Sequence, residues 1–422
     1  KMQIFKFGGA SVKDINAIKN VGNILQEYKN EELILVISAM GKVTNQLENI
    51  YEAYIEQREA DLQELFTVFK KQHFAILENL LSNTIITKIN VQVVFDEMKD
   101  LFSFKPVRSH TFLYDQIVSA GEMLSTIIVS HYLNEQGINN QWVNVKSCIK
   151  TNNNYREGIV DWELTEKCIQ EVVGKQTEKI LVTQGFLGAT PENFTTTLGR
   201  EGSDYSAAIF AYCTNAKKMS IWKDVLGVFN GDPRYVHDVQ KINQLTYREA
   251  NEMTFYGAKV IHHKTMRPLQ EKGILLEVRS FIEPTQQGTI IRATKDESEV
   301  LPPIIVIKRD QALYHIQRKD KQPLKEYDMG VIYSSFGKHL VEANISSKTA
   351  YEWRVAVDDK GYKTDDLFAD LKAENYETAL QEGSYRVITF KNYSTDFVNK
   401  NTEGATIYLE QKAGDALHLL VG

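Results

Sequence analysis

The sequence predicts an α/β fold, a mostly parallel sheet covered by helices on both faces, followed by a smaller α+β module. Three observations predict it. Short apolar runs ending in Gly, Ser or Asn alternate with stretches of helical periodicity up to about residue 290, and strands spaced by helices pair in parallel. The segment ATKDESEVLPP, Ala293 to Pro303, mixes charge with a double proline, and neither a helix nor a strand continues easily through it. Beyond it, strand and helix patterns alternate over about 120 residues, the pattern of a small antiparallel sheet with helices on one face.

In chain order, the strands of the first part are expected in MQIFKF, ELILVISAM, QWVNV, KILVTQGFLGA, KKMSIWKDV and ILLEVRSF. Between Asn45 and about Lys105, Leu47, Ile50, Tyr51, Tyr54, Ile55, Leu62, Leu65, Phe66 and Phe69 recur at helical spacing, which predicts an inserted helical hairpin or subdomain at about 46–105. Its aromatic stripe reads as core. After the linker at 293–303, strands are expected in IIVIKRDQALYHIQR, YEWRVAVDD and YRVITF, and helices in YDMGVIYSSFGKHLVEAN and TDDLFADLKAEN. The expected domains are therefore 1–292 and 304–422.

A chain of 422 residues with 43% hydrophobic and 25% charged residues is an ordinary globular protein, long enough for two or three domains. Its formal charge of −6 removes a global electrostatic case for nucleic acid, and small molecules are the expected partners. Cys148, Cys168 and Cys213 are odd in number and not in metal-like spacing, which suits a reducing compartment. No apolar run reaches the length of a membrane span and no secretory segment opens the chain, so a soluble cytoplasmic protein is expected.

Five stretches carry chemistry. In KFGGASVKD, Gly8 and Gly9 let the backbone approach a ligand and adopt positive φ, so that N–H groups converge on an anion. Lys6 adds a full charge, and a helix expected near Val12 adds its positive end. The same turn also reads as simply structural. In TTTLGREGSDYSAAIFAYC, Arg200 precedes a helix whose expected cap is Ser203 or Asp204. The arginine offers a planar fork for a carboxylate, Asp204 can hold a lysine's ammonium, and a capped helix with a surface Arg is the plainer alternative. In IWKDVLGVFNGDPRYV, Asp224, Phe229 and Arg234 follow a strand end, where nucleotides lie in open α/β sheets, although DPR is also an ordinary turn. FYGAKVIHHKTMRPL places Lys259 behind a glycine. Adjacent His262 and His263 on a helix point about 100° apart and cannot share one ion. In SAGEMLST, Glu122 needs a cationic partner if buried, and a substrate ammonium serves; a surface glutamate is the alternative. Together these residues suit phosphoryl transfer, which needs positioning and charge neutralisation above all.

Those stretches, with ISAMGKVTN, VTQGFLGA and VRSFIEPTQQGTII, resemble eight ordered motifs of the aspartokinases, a branch of the amino acid kinase family, from Lys6 to Ile291. The resemblance implies the carbamate kinase-like three-layer fold and ATP-dependent phosphorylation of the β-carboxylate of L-aspartate. This is the entry to lysine, threonine and methionine synthesis. It further implies that Lys6 neutralises the transferred phosphoryl group, with Gly8, Gly9 and Ser11 at the phosphate and Asp204 orienting lysine side chains. Arg200 would hold a substrate carboxylate and Glu122 its ammonium, with Ser38, Thr44 and Ser203 lining that pocket. Lys223, Asp224, Phe229, Arg234, Lys259 and Val260 would form the ATP side. Mg²⁺ is implied by ATP, with no protein ligand named.

The chain departs from the family pattern at Ala10, Lys223, Phe229 and His263, and at Glu201, which stands where glycine is usual and either pairs with Arg200 or turns outward. Residues 301–422 resemble the family's ACT regulatory region more loosely. That resemblance implies a homodimer or higher homo-oligomer, and a lysine or threonine effector is a further possibility. Two alternatives stay open: a kinase for another amino acid, and a catalytically weak amino-acid sensor.

Overall fold

The computed structural model describes residues 1–359 and 361–422. They pack as two units. One comprises Lys1–Val228, Asn243–Asn251 and Ile261–Asp296; the other comprises Phe229–Ile242, Glu252–Val260 and Glu297–Gly422.

The first unit is built on β1 (Gln3–Phe7), β2 (Leu33–Ile37), β3 (Asn140–Trp142), β4 (Ile180–Gln184), β7 (Lys218–Lys223), β8 (Gln244–Thr246), β9 (Leu275–Ser280) and β10 (Thr289–Arg292). Their order across the sheet is β3-β4-β2-β1-β7-β9-β10-β8. Every pairing is parallel except β9 with β10. Parallel strands covered on both faces have no reason to alternate, and β2, LILVI, is buried at every position. Phe5, Phe7, Leu33, Leu35 and Ile37 point to one face. There they meet α1 (Ile15–Gln26), α2 (Val43–Ile55), α3 (Glu59–Leu80), α4 (Ile85–Phe102), α5 (His110–Val118) and α6 (Ala120–Glu135). Further along the chain come α7 (Trp162–Gly174) and α8 (Gly202–Cys213), of which α8 packs on β1, β2 and β7. The fully buried Phe7 ring stacks on Trp222 at 5.8 Å, and burying one such Phe stabilises by about 1.5–3 kcal/mol.

Two expectations are corrected and one is narrowed. The first helix does not start near Val12: Gly9–Val12 forms a short 3₁₀ turn, and α1 begins at Ile15 because the Asp14 carboxylate accepts from the Ala17 N–H at 2.8 Å. Of the expected hairpin or subdomain the insertion takes the second form, three helices, α2 to α4, and Leu47, Ile50, Tyr54 and Phe69 join the main core. KILVTQGFLGA is two strands, because Phe186 takes a φ of 71° after β4. Its second half, β5 (Leu187–Ala189), pairs with β6 (Thr195–Thr197) in a separate ribbon.

The helices α9 (Tyr247–Phe255) and α10 (His263–Glu271) precede the second unit's main run. That run is β11 (Ile304–Arg318), α11 (Glu326–Lys338), β12 (Ile345–Lys348), β13 (Glu352–Asp358), α12 (Tyr362–Ala373), β14 (Tyr376–Lys391), α13 (Thr395–Thr402), β15 (Ile407–Ala413) and β16 (Ala416–Val421). The antiparallel sheet has the order β12-β13-β11-β14-β16-β15. The elements α13, β12, β15 and β16 go beyond those expected, and α11 ends at Lys338, six residues before the expected Asn344. Two unusually long strands, β11 and β14, run through two helix-covered cores. Ala312 and Ile316 face α11 and α12, while Ile305 and Phe390 pack with Phe397 and Val398 of α13. Strict alternation puts Ile305 and Ala312 on opposite faces. A register shift between Lys308 and Gln311, with Asp310 at φ 55°, inserts the residue that returns both to the helix side.

Candidate active site

Lys6 stands one residue before the end of β1, facing away from Phe5 and Phe7, in register with Val36 of β2 and Ile221 of β7. Its ammonium lies 2.7 Å from the Asp204 carboxylate in the first turn of α8, the side chains being only 13% and 10% exposed. The carboxylate thus holds a nearly buried cation at the carboxyl edge of the sheet. That is where ligands lie in open α/β folds.

The two glycines after β1 act by their size. Neither has a positive φ, correcting the expectation, and Gly8 is extended at φ −76°, ψ 175°. A Cβ at Gly8 would sit 3.1 Å from the Lys6 ammonium, and one at Gly9 only 2.8 Å from the Gly41 carbonyl. The loops after β1 and β2 therefore touch, and Gly41 N–H donates to Gly9 O at 3.0 Å. Ser11 is buried and its hydroxyl donates to Gly8 O at 2.5 Å, which fixes the turn.

The loop after β2 gathers the next group. Ser38 donates to the Ser203 hydroxyl at 2.9 Å, and the Ala39 N–H approaches Glu122 Oε1 at 3.4 Å. Gly185 allows α8 to come this close, since a Cβ there would be 2.7 Å from the Ser203 hydroxyl oxygen. Glu122 is 3% exposed, and among the described residues its Oε2 has no hydrogen-bond partner. Burial pushes its pKa up to about 8. Thr44 is half-buried in the first turn of α2.

Arg200 is exposed and, among the described residues, has no ion-pair partner. Neither Ser203 nor Asp204 caps α8: the cap position is Glu201, in the left-handed region at φ 55°. The Glu201 carboxylate turns to α10, where it accepts from the His262 N–H at 3.1 Å, leaving the Arg200 guanidinium unneutralised. His262 caps α10 through its ring nitrogen, accepting from Lys264 N–H at 3.2 Å. Burial, first of all, lowers its pKa.

The residues expected at the nucleotide divide between the units. Lys223 ends β7 and Asp224 follows it, exposed, in the first unit; Phe229, Arg234, Lys259 and Val260 belong to the second. Arg234 grips Asp232 through Nε at 3.0 Å and Nη2 at 2.6 Å, the DPR turn closing on itself. That grip lowers the Asp232 pKa, and Lys259 adds to it. Phe229 is half-buried and bridges Lys241, while Val260 is buried. Among the described residues no group of three or more His, Cys, Asp or Glu can hold a metal ion. Cys148 and Cys213 are buried with pKa values pushed up to about 12.

A model of the amino acid kinase family matches residues 1–280. The chain belongs to the amino acid kinase family. Lysine-sensitive aspartokinase 3 of Escherichia coli is 28% identical over 85% of this chain and 78% of its own length. Aspartokinase 2 of Arabidopsis thaliana is 29% identical over 74% of this chain and 58% of its own length. Among solved structures, E. coli aspartokinase III in complex with aspartate and ADP superposes with a TM-score of 0.81 at 25% identity, covering 100% of this chain and 96% of that one. The Clostridium acetobutylicum enzyme, at 20% identity and a TM-score of 0.79, shares the fold across 99% of this chain.

For an amino acid kinase the neglected residue is Asp115, a lone acid in the apolar helix FLYDQIV. It is fully buried and accepts from Arg156 N–H, Thr197 N–H and the Thr197 hydroxyl at 2.9, 2.9 and 2.8 Å. An acid inside an apolar helical run is the signal that sequence reading passes over.

Proposed function

We propose that the chain is an aspartokinase, transferring the γ-phosphoryl group of MgATP to the β-carboxylate of L-aspartate, the first step towards lysine, threonine and methionine. The observation that carries this reading is Glu122: a buried carboxylate with an unpartnered oxygen calls for an ammonium, which aspartate has and N-acetylated acids lack. Arg200, unpaired among the described residues, takes a carboxylate of the same substrate. Glu201 is engaged with His262, which removes the motive for a silent sensor.

The β-carboxylate is ionised at neutral pH, with a pKa of about 4, so the nucleophile needs no base. One of its oxygens forms the new bond to phosphorus while the bond to the β-phosphate oxygen breaks and ADP leaves. Lys6, held by Asp204, balances charge on the phosphoryl group in flight. Gly8, Gly9 and Ser11 shape the phosphate corner; Ser38, Thr44 and Ser203 line the acceptor side. Lys223 and Asp224 of the first unit serve the nucleotide, and Mg²⁺ bound with it would add positive charge at the phosphates. Residues 304–422 are the ACT-like regulatory module of a cytoplasmic homo-oligomer, and lysine and threonine are the two effectors to test on it. A relative described as lysine-sensitive supports this assignment.

The test is hydroxylamine trapping of the acyl phosphate with aspartate, glutamate and N-acetylglutamate, each with and without lysine or threonine. Aspartate-dependent hydroxamate supports the reading; turnover with another acid alone, or none, overturns it.

A further inference from the structure

Arg200 shares a cleft of about 610 Å³ in the first unit with Tyr114, Arg156, Phe186 and Thr197. Arg156 is exposed and, among the described residues, also has no ion-pair partner. Its guanidinium lies over the Tyr114 ring at 3.9 Å, and Tyr114 is fixed in turn by donating its hydroxyl to Glu48 at 2.7 Å. An arginine stacked on an aromatic face keeps its in-plane donors available for a carboxylate.

The backbone around Arg156 is held at some cost. Its φ is 70°, a conformation that glycine or asparagine takes more readily. Asp115 maintains it by accepting the Arg156 N–H, and the same carboxylate accepts both the N–H and the hydroxyl of Thr197, three residues before Arg200. Gly158 N–H donates to Thr197 O at 2.9 Å, a second tie between the strand and the loop. One buried acid therefore fixes the two segments that present the arginines. Of the cleft's lining residues only Glu157 is acidic, and its charge acts on Lys264.

We propose that Arg156 is a second carboxylate-binding arginine, which with Arg200 selects an acceptor bearing two carboxylates and captures it from solution, and that Asp115 positions the pair. The inference rests on the aspartokinase reading for the identity of the acceptor. Calorimetry with L-aspartate, in the presence of a non-hydrolysable ATP analogue, is run on the full chain and on Arg156→Gln, Arg156→Lys and Arg156→Gly. The Gln and Gly variants are expected to bind aspartate about tenfold more weakly, in line with the loss of one charge-assisted hydrogen-bonding partner. Lys should recover part of the loss, and the affinity for the ATP analogue should be unchanged. The Gly variant accommodates the positive φ, so its loss of binding cannot come from misfolding. Unchanged aspartate affinity in Gln and Gly overturns the proposal, as does a parallel loss of nucleotide affinity. Hydroxamate turnover of the unaltered chain, measured alongside, reports on the kinase reading separately: a chain that binds aspartate through Arg156 without turning it over keeps the inference and loses the reading.

Discussion

Replacing Glu122 with glutamine tests the acceptor site through its own electrostatics. In the unfolded chain this carboxyl ionises near its ordinary 4.5, whereas burial holds it protonated up to about 8 in the folded chain. Between those pH values the folded state keeps a proton that the unfolded state has released, so stability is highest below the window and falls as pH rises through it. At about 1.4 kcal/mol per pH unit the window sets a ceiling of ~5 kcal/mol on that loss, and any relaxation around the carboxylate lowers it. Glu122→Gln carries no charge at any pH. The variant should match the unaltered chain near pH 5 and exceed it increasingly towards pH 8.5, read as thermal midpoints across that range. Aspartate binding should weaken at the same time, because the ammonium loses its counter-ion. Binding to the unaltered chain at pH 7 should release close to one proton, seen as a calorimetric enthalpy that depends on the buffer. Parallel pH profiles for the two proteins would refute the reasoning, whatever happened to activity.

Three further outcomes are expected. Lys6→Ala should lower kcat by about 10²–10³-fold with an unchanged far-ultraviolet circular dichroism spectrum, and retention of full turnover removes Lys6 from the phosphoryl site. Gly9→Ala forces a Cβ to 2.8 Å from Gly41 O and 3.1 Å from Ala39 O. Because both contacts are backbone, the cost should be about 1–3 kcal/mol in denaturant melts, accompanied by a loss of turnover; wild-type stability would show that the loops do not touch. Glu201→Gly relieves a left-handed residue but removes the acceptor of His262 N–H. The two effects are each about 1 kcal/mol and opposed. Melting should barely move and activity should persist, and a tenfold fall in kcat/KM would place Glu201 in the site.

Much of the candidate site is local and therefore legible in the chain. Lys6 with Gly8 and Gly9, and Arg200 with Ser203 and Asp204, form short polar, glycine-bearing breaks between an apolar strand and a helix, and turn chemistry writes such breaks into the sequence. What each residue does there was less legible. Gly8 and Gly9 suggested positive φ, yet the structure uses their lack of a side chain. Ser203 and Asp204 suggested a helix cap, yet Ser203 meets Ser38 and Asp204 takes its other expected part, holding the ammonium of Lys6. Glu201 had two readings, and its partner, His262, lies 61 positions away.

The sequence by itself determined the alternation of buried strands and amphipathic helices, because periodicity acts within a few residues. Only the tertiary structure decided which side chains meet. The Lys6 and Asp204 pair, the orphaned Glu122 oxygen and the Asp115 clamp each depend on segments that are distant in the chain. The same holds for residues 229–242 and 252–260, which pack with the C-terminal unit. Burial and charge pairing follow from distances in space, and no pattern of neighbours along the chain encodes them.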